Sequence, residues 1–189
     1  MKRISALLSA AVMLLLAACG AAAPAATDSP DAENTASAGI LGSFSTTDLD
    51  GEAVDESLFA GCKLTMVNIW ATYCGPCISE MPDLGTLAEE YADRGFQIVG
   101  LVSDALDSDG NVDAAQVEKA KEIVASTGAD YTHIVPGEGI YGLLYQISAV
   151  PTTLFVDSEG RQVGSAYISA KSLEAWKEIV DPLLEEAGA

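Results

Sequence analysis

Apolar and polar positions fall into two rhythms along the chain. Leu64, Met66, Val67, Ile69 and Trp70 form a compact β-rich apolar run, and Phe96 to Ser103 forms a second. Runs of this length and composition predict buried strands. They are joined by a helical stretch from about Gly75 to Asp93, kinked at Pro82 and ended at Arg94-Gly95. That order predicts a parallel pair with a right-handed crossover. Upstream, Phe44 to Val54 surrounds the turn-like Asp48-Leu49-Asp50-Gly51 and reads as a short hairpin, followed by one helical turn over Glu56 to Ala60. Downstream, a polar loop over Asp104 to Asn111 precedes a helical pattern over Val112 to Thr127. A short strand over Tyr131 to Val135 and a short amphipathic helix over Gly139 to Ile147 come next. Thr152 to Val156 and Arg161 to Tyr167 flank the turn Asp157-Ser158-Glu159-Gly160 as a second hairpin. A final helix from Ser169 or Ala170 to Ala187 presents Leu173, Trp176, Ile179, Val180, Leu183 and Leu184 on one face.

The first strand leads directly into chemistry. Leu64 to Pro82 reads L-T-M-V-N-I-W-A-T-Y-C-G-P-C-I-S-E-M-P, so Cys74-Gly75-Pro76-Cys77 opens a helix at the end of a buried strand. Two intervening residues let one helical turn bring the sulfurs within bonding reach, and the helix N-terminus favours a thiolate on the first cysteine. Cys74 is then the exposed nucleophile and Cys77, one turn deeper, resolves the mixed disulfide. Pro76 is tolerated because the first helical turn needs no N–H from it. Zinc would require further ligands, and Cys62, His133 and scattered carboxylates lack ligand spacing, so no metal and no cofactor is expected. Glu80 lies one turn past Cys77 and is positioned to face the sulfurs. His133 sits in a strand far from the cysteines in sequence and reads as structural or surface.

Composition then bounds the setting. The chain has 189 residues, 49% of them hydrophobic, with a formal charge of −19, enough for one core and unsuited to nucleic acid. Residues 1–18 read as a targeting segment, with Lys2 and Arg3 before an apolar stretch. Leu16-Ala17-Ala18-Cys19 resembles a bacterial lipobox, which implies cleavage before Cys19 and its lipidation. Residues 19–42 form a tether rich in Ala, Pro, Ser and Thr after that cysteine. Twenty extended residues reach about 60–70 Å. The folded domain is expected over 43–189. Cys62 remains as a semi-buried free thiol.

From about Phe44 onward the chain resembles thioredoxin-fold proteins, and within them the membrane-anchored branch typified by TlpA and ResA. The likeness rests on V-N-I-W-A-T-Y-C-G-P-C-I-S-E-M-P, on V-P-T-T-L-F-V-D-S-E-G-R, and on a helical insertion near Asp104 to Asp130. It implies an α/β, three-layer α/β/α sandwich with an N-terminal β-hairpin and a central helical insertion. It implies that Pro151 is a cis-proline packing against the cysteine pair, leaving the Val150 backbone free for a client segment. Trp70 would shield the disulfide. Glu80 would serve as the acid–base group for Cys77, since Asn68 stands where cytoplasmic thioredoxins carry a buried Asp. Tyr73 replaces the Trp that commonly precedes the first cysteine, which alters the docking surface.

The resemblance implies a lipid-anchored thiol–disulfide reductase on the extracytoplasmic face of a bacterial cell membrane. Its partners would be protein disulfide substrates outside the cytoplasm, a membrane thiol reductant of the DsbD/CcdA kind, and the lipid bilayer, in cytochrome c maturation or oxidative repair. The Gly-Pro dipeptide is that of cytoplasmic thioredoxin, at about −270 mV against about −120 mV for the oxidant DsbA, and favours reduction. A DsbA-like oxidase is the main rival. A peroxiredoxin-type peroxidase needs Thr or Ser three residues before the cysteine and Pro seven before, where Ala71 and Val67 stand. A metal-binding lipoprotein of the copper-chaperone kind uses a different cysteine spacing.

Overall fold

The computed structural model describes residues 39–187. The expected signal segment, Cys19 and most of the expected tether lie outside the described residues.

Strands β1 (Ser45–Thr47) and β2 (Ala53–Asp55) pair antiparallel. The Asp48 carboxylate closes their turn by accepting from the Asp50 and Glu52 amides, both at 2.9 Å. A 3-10 turn over Glu56–Phe59 follows, capped by Asp55. The remaining elements are β3 (Leu64–Trp70), α1 (Gly75–Tyr91), β4 (Phe96–Val102), α2 (Ala114–Thr127), β5 (Thr132–Ile134), α3 (Tyr141–Leu144), β6 (Thr152–Val156), β7 (Gln162–Ile168) and α4 (Leu173–Ala187). This is the expected order.

The main sheet runs β5-β4-β3-β6-β7. β3, β4 and β5 are parallel, whereas β6 is antiparallel to β3 and β7 to β6. Every residue of β3 is buried, because helices or loops cover both faces of this central strand. The pleat sorts its side chains. Val67 and Ile69 join Val99, Leu101 and Leu154 in a core closed by Phe44, Phe59 and Leu143. Leu64 and Met66 face the other way, against Leu84 and Leu87 of α1 and Trp176 and Val180 of α4. Helices on both sides of one sheet make a three-layer α/β/α sandwich.

Several boundaries differ from the sequence pattern, each for a local reason. α2 begins two residues later than Val112, because the Asp113 carboxylate caps it by accepting from the Ala115 and Gln116 amides. α3 is confined to four residues; Gly139, at φ +87°, lies in the left-handed region and cannot start a helix. Ser169, at φ +86°, turns the chain before α4, whose Leu173 amide donates to Asp83 Oδ2 of α1 at 3.0 Å. α1 continues through Pro82 to Tyr91.

The sheet has two distinct poles. β3 and β4 both end at the pole where Cys74 emerges. β6 runs the opposite way, so its turn with β7, Asp157 to Arg161, lies at the far pole. There the Leu41 amide donates to the Gly160 carbonyl at 3.1 Å, with Leu41 buried in the core. Folded packing therefore begins before the boundary drawn at residue 43.

Candidate active site

β3 delivers the chain to the pole and a tight turn reverses it, with the Cys74 amide donating to the Ala71 carbonyl at 3.0 Å. Cys74 is the N-cap of α1, and its Sγ accepts from the Cys77 amide at 3.2 Å. The two cysteines are disulfide-bonded, with Cα atoms 5.3 Å apart. Pro76 lies in the first turn and, like Gly75, is exposed. Cys74 itself was expected to be exposed, and here the structure corrects the sequence. In the oxidised form Cys74 is 5% exposed and Cys77 1%. In this disulfide form Cys74 is only slightly more accessible than its partner. The side chain that stands out is Tyr73, at 73%.

Trp70 is fully buried in one cluster with Cys74, Cys77 and Met81, and Val150 packs against that cluster. Its indole N–H donates to His133 Nδ1 at 3.2 Å, while His133 Nε2 donates to the Ala129 carbonyl at 3.0 Å. Both ring nitrogens are thus committed in the neutral form, and burial pulls the His133 pKa down to about 4. The Val150–Pro151 peptide is cis, and the Pro151 carbonyl accepts from the Ser169 amide at 3.0 Å. Beside it Tyr73, Ser103, Leu144, Ile147, Ala149 and Val150 line an uncharged cavity of about 230 Å³.

Glu80 is 3% exposed, one turn past Cys77. Its Oε1 accepts from the Trp176 indole at 2.6 Å and from the Lys171 amide at 2.9 Å, so the carboxylate is oriented by the α4 side of the molecule. Its Oε2 is buried and makes no hydrogen bond to a described residue. Burial pushes its pKa up against the pull of those two donors. Asn68 is buried nearby in β3 and donates to Thr153 Oγ1 at 3.0 Å. Cys62 is half-buried and unbonded, just before β3 and hence at the far pole, with its thiol pKa raised by burial. Among the described residues no three His, Cys, Asp or Glu side chains converge in a way that could hold a metal ion.

Three participants were not read as site residues from sequence. Trp176, read as core, also holds Glu80 across 96 residues of chain, and nothing local to either residue signals that. His133 reaches Trp70 through the pairing of β5 with β4. Asp104 binds the turn before Cys74, and its place just past a parallel strand, at the carboxyl end where α/β proteins build their sites, was a usable signal.

A strand-turn-helix cysteine pair at the carboxyl end of a mixed five-stranded sheet, with a cis-proline opening β6 at the same pole, defines a thioredoxin-fold dithiol protein. The Redoxin family profile matches residues 18–170, and the chain belongs to that family. It is 30% identical over 121 residues to the thiol-disulfide oxidoreductase ResA of Bacillus thuringiensis, covering 64% of this chain and 63% of ResA. The chain thus spans just under two thirds of that relative. It is 28% identical to the thiol:disulfide interchange protein DsbE of Vibrio cholerae, over 72% of this chain and 66% of DsbE. A crystal structure of a thioredoxin-family thiol:disulfide interchange protein from Chlorobium tepidum superposes with a TM-score of 0.60 at 26% identity, covering 75% of this chain and 93% of the other.

Proposed function

We propose that this protein is a thiol–disulfide oxidoreductase, anchored through lipid at Cys19 to the extracytoplasmic face of a bacterial membrane, that reduces disulfides in client proteins. The observation that carries the dithiol-exchange chemistry is the capping geometry of Cys74, while the reducing direction rests on the Gly-Pro dipeptide between the cysteines. Its sulfur accepts a backbone N–H at the positive end of α1, an arrangement that stabilises a thiolate once the disulfide is opened. The reduced Cys74 thiolate attacks one client sulfur. A new S–S bond forms, the client disulfide breaks, and the released client sulfur takes up a proton. Cys77 then loses its proton and attacks Cys74 Sγ, freeing the second client sulfur as a thiol. Two electrons and two protons pass to the client, and the Cys74–Cys77 disulfide remains. Glu80 is assigned the acid–base role toward Cys77, supported by its burial one turn away and its raised pKa.

A dithiol donor in the membrane, of the DsbD/CcdA kind, returns the electrons. No helix among the described residues is long and apolar enough to cross a membrane, so in this reading attachment rests on the N-terminal segment. Cytochrome c maturation or oxidative repair supplies the clients. The test is the reduction potential of the pair in glutathione and dithiothreitol buffers, together with insulin reduction. A potential near or below about −250 mV is expected; a value near about −120 mV would make the protein an oxidase instead. Cys74→Ser should abolish turnover and Cys77→Ser should accumulate mixed disulfides; a Cys77→Ser protein with normal turnover overturns the two-cysteine mechanism.

A further inference from the structure

The turn that presents Cys74 is held from outside β3. Asp104 lies two residues past the end of β4, and its carboxylate accepts from the Thr72 amide at 3.0 and 3.1 Å and from the Thr72 hydroxyl at 2.7 Å. Gln116 of α2 adds its side-chain amide to the same carboxylate at 3.1 Å and to the Asp104 carbonyl at 3.4 Å. The adjacent Ser103 binds the Trp70 carbonyl through both its amide and its hydroxyl, each at 2.8 Å. The segment Trp70 to Tyr73 is therefore fixed by the β4 end and by the helix that follows it. All the donors to Asp104 are neutral. The ion pairs among the described residues involve Arg94, Lys121, Arg161 and Lys177, none of them with Asp104. No cation among the described residues therefore pairs with the carboxylate that clamps the turn, and Thr72 is two residues from Cys74.

We propose that Asp104 is a positioning residue for the redox pair: it locks the turn before Cys74 and holds an uncompensated negative charge beside it, which keeps the dithiol reducing. The inference rests on the thiol–disulfide reading. The helix N-terminus stabilises the Cys74 thiolate; a fixed carboxylate at the same end opposes it. Destabilising the thiolate destabilises the reduced form, so the pair gives up its electrons more readily.

The experiment compares the intact chain with Asp104→Asn, which keeps one acceptor and removes the charge, and with Gln116→Lys, which keeps the carboxylate and places a cation on it. Each is equilibrated with glutathione, in which the disulfide and two thiols of glutathione exchange with the dithiol and one glutathione disulfide. The pH profile of Cys74 alkylation is measured in parallel. Both variants should shift the equilibrium toward the dithiol about tenfold, which is about 30 mV for a two-electron couple, and should alkylate faster at low pH. A variant that only loosens the fold would lower the unfolding midpoint and leave both quantities where they were; that result overturns the proposal. If Asp104→Asn does not fold, the Gln116→Lys result alone decides. Both readouts belong to the dithiol and need no client. An intact chain that fails to reduce insulin while its variants still shift would sink the functional reading and leave Asp104 in its role.

Discussion

Glu80 and His133 are both buried ionisable groups at the site, and their linkages run in opposite directions. The folded-state pKa of Glu80 is raised, so the unfolded chain binds fewer protons than the native state as pH climbs past the ordinary carboxylate range. Its ionisation then subtracts stability. His133 is depressed to about 4 from 6.5, so the unfolded state takes up a proton first on acidification. Its contribution is complete above pH 6.5 and is lost as pH falls toward 4, amounting to about 3 kcal/mol. Urea unfolding across pH 4 to 8 should therefore show Glu80→Gln more stable than the parent at pH 8 and converging with it only as pH falls below the ordinary carboxyl value of 4.5. His133→Phe should flatten the acid limb. Glu80→Gln should also slow exchange, since Gln keeps the bonds to Trp176 and Lys171 but carries no proton to trade. Equal stabilities at pH 8 would show that the carboxylate is not penalised there. Sequence placed Glu80 and Cys77 on one turn because helical spacing is local. It had no access to what surrounds Glu80, since Trp176 and Lys171 arrive from the other end of the chain.

At the level of elements, the strands were legible because β3, β4 and β6 are short apolar runs bounded by turns, and the active-site helix because Cys74 and Pro76 mark its start, whereas its α-helical turns stop at Tyr91 and a 3-10 turn carries the chain on to Gly95. What was not legible is how helices approach one another. Gly85 of α1 faces the Gly128 backbone at the end of α2 so closely that a Cβ there would overlap the Gly128 carbonyl. This contact lets α2 lie beside the active-site helix. Gly142 in α3, by contrast, faces open space. Gly85→Ala should destabilise the fold by about 1–3 kcal/mol through overpacking, despite the better helix propensity of alanine. Gly142→Ala should be neutral or gain up to about 1 kcal/mol. Denaturant midpoints at unchanged slope check both, and the reverse ranking would show that α1 and α2 yield at this contact. The start of α4 was missed in part for a related reason: beside the local Ser172 hydroxyl, which accepts from the Ala175 amide at 3.4 Å, its Leu173 amide is held by Asp83, 90 residues earlier.

For the molecule as a whole, an uncharged cavity beside the cysteines sits in a chain of formal charge −19. The field should favour basic clients over acidic ones, and the favour should fade with salt as the screening length falls from about 10 Å at 0.1 M to about 3 Å at 1 M. Rates of reduction for matched basic and acidic disulfide peptides, measured at both salt concentrations, test this; a preference unmoved by salt would place selectivity in the cavity lining. The composition supplied that charge, but its separation from an uncharged cavity needed the fold. The position of Leu41 has a wider meaning. The chain joins the domain at the pole where β6 turns into β7, and the seven residues of β3 span about 20 Å from there to the cysteines. The described chain therefore enters at the end of the sheet opposite the cysteines, which leaves the reactive face clear of the entry point.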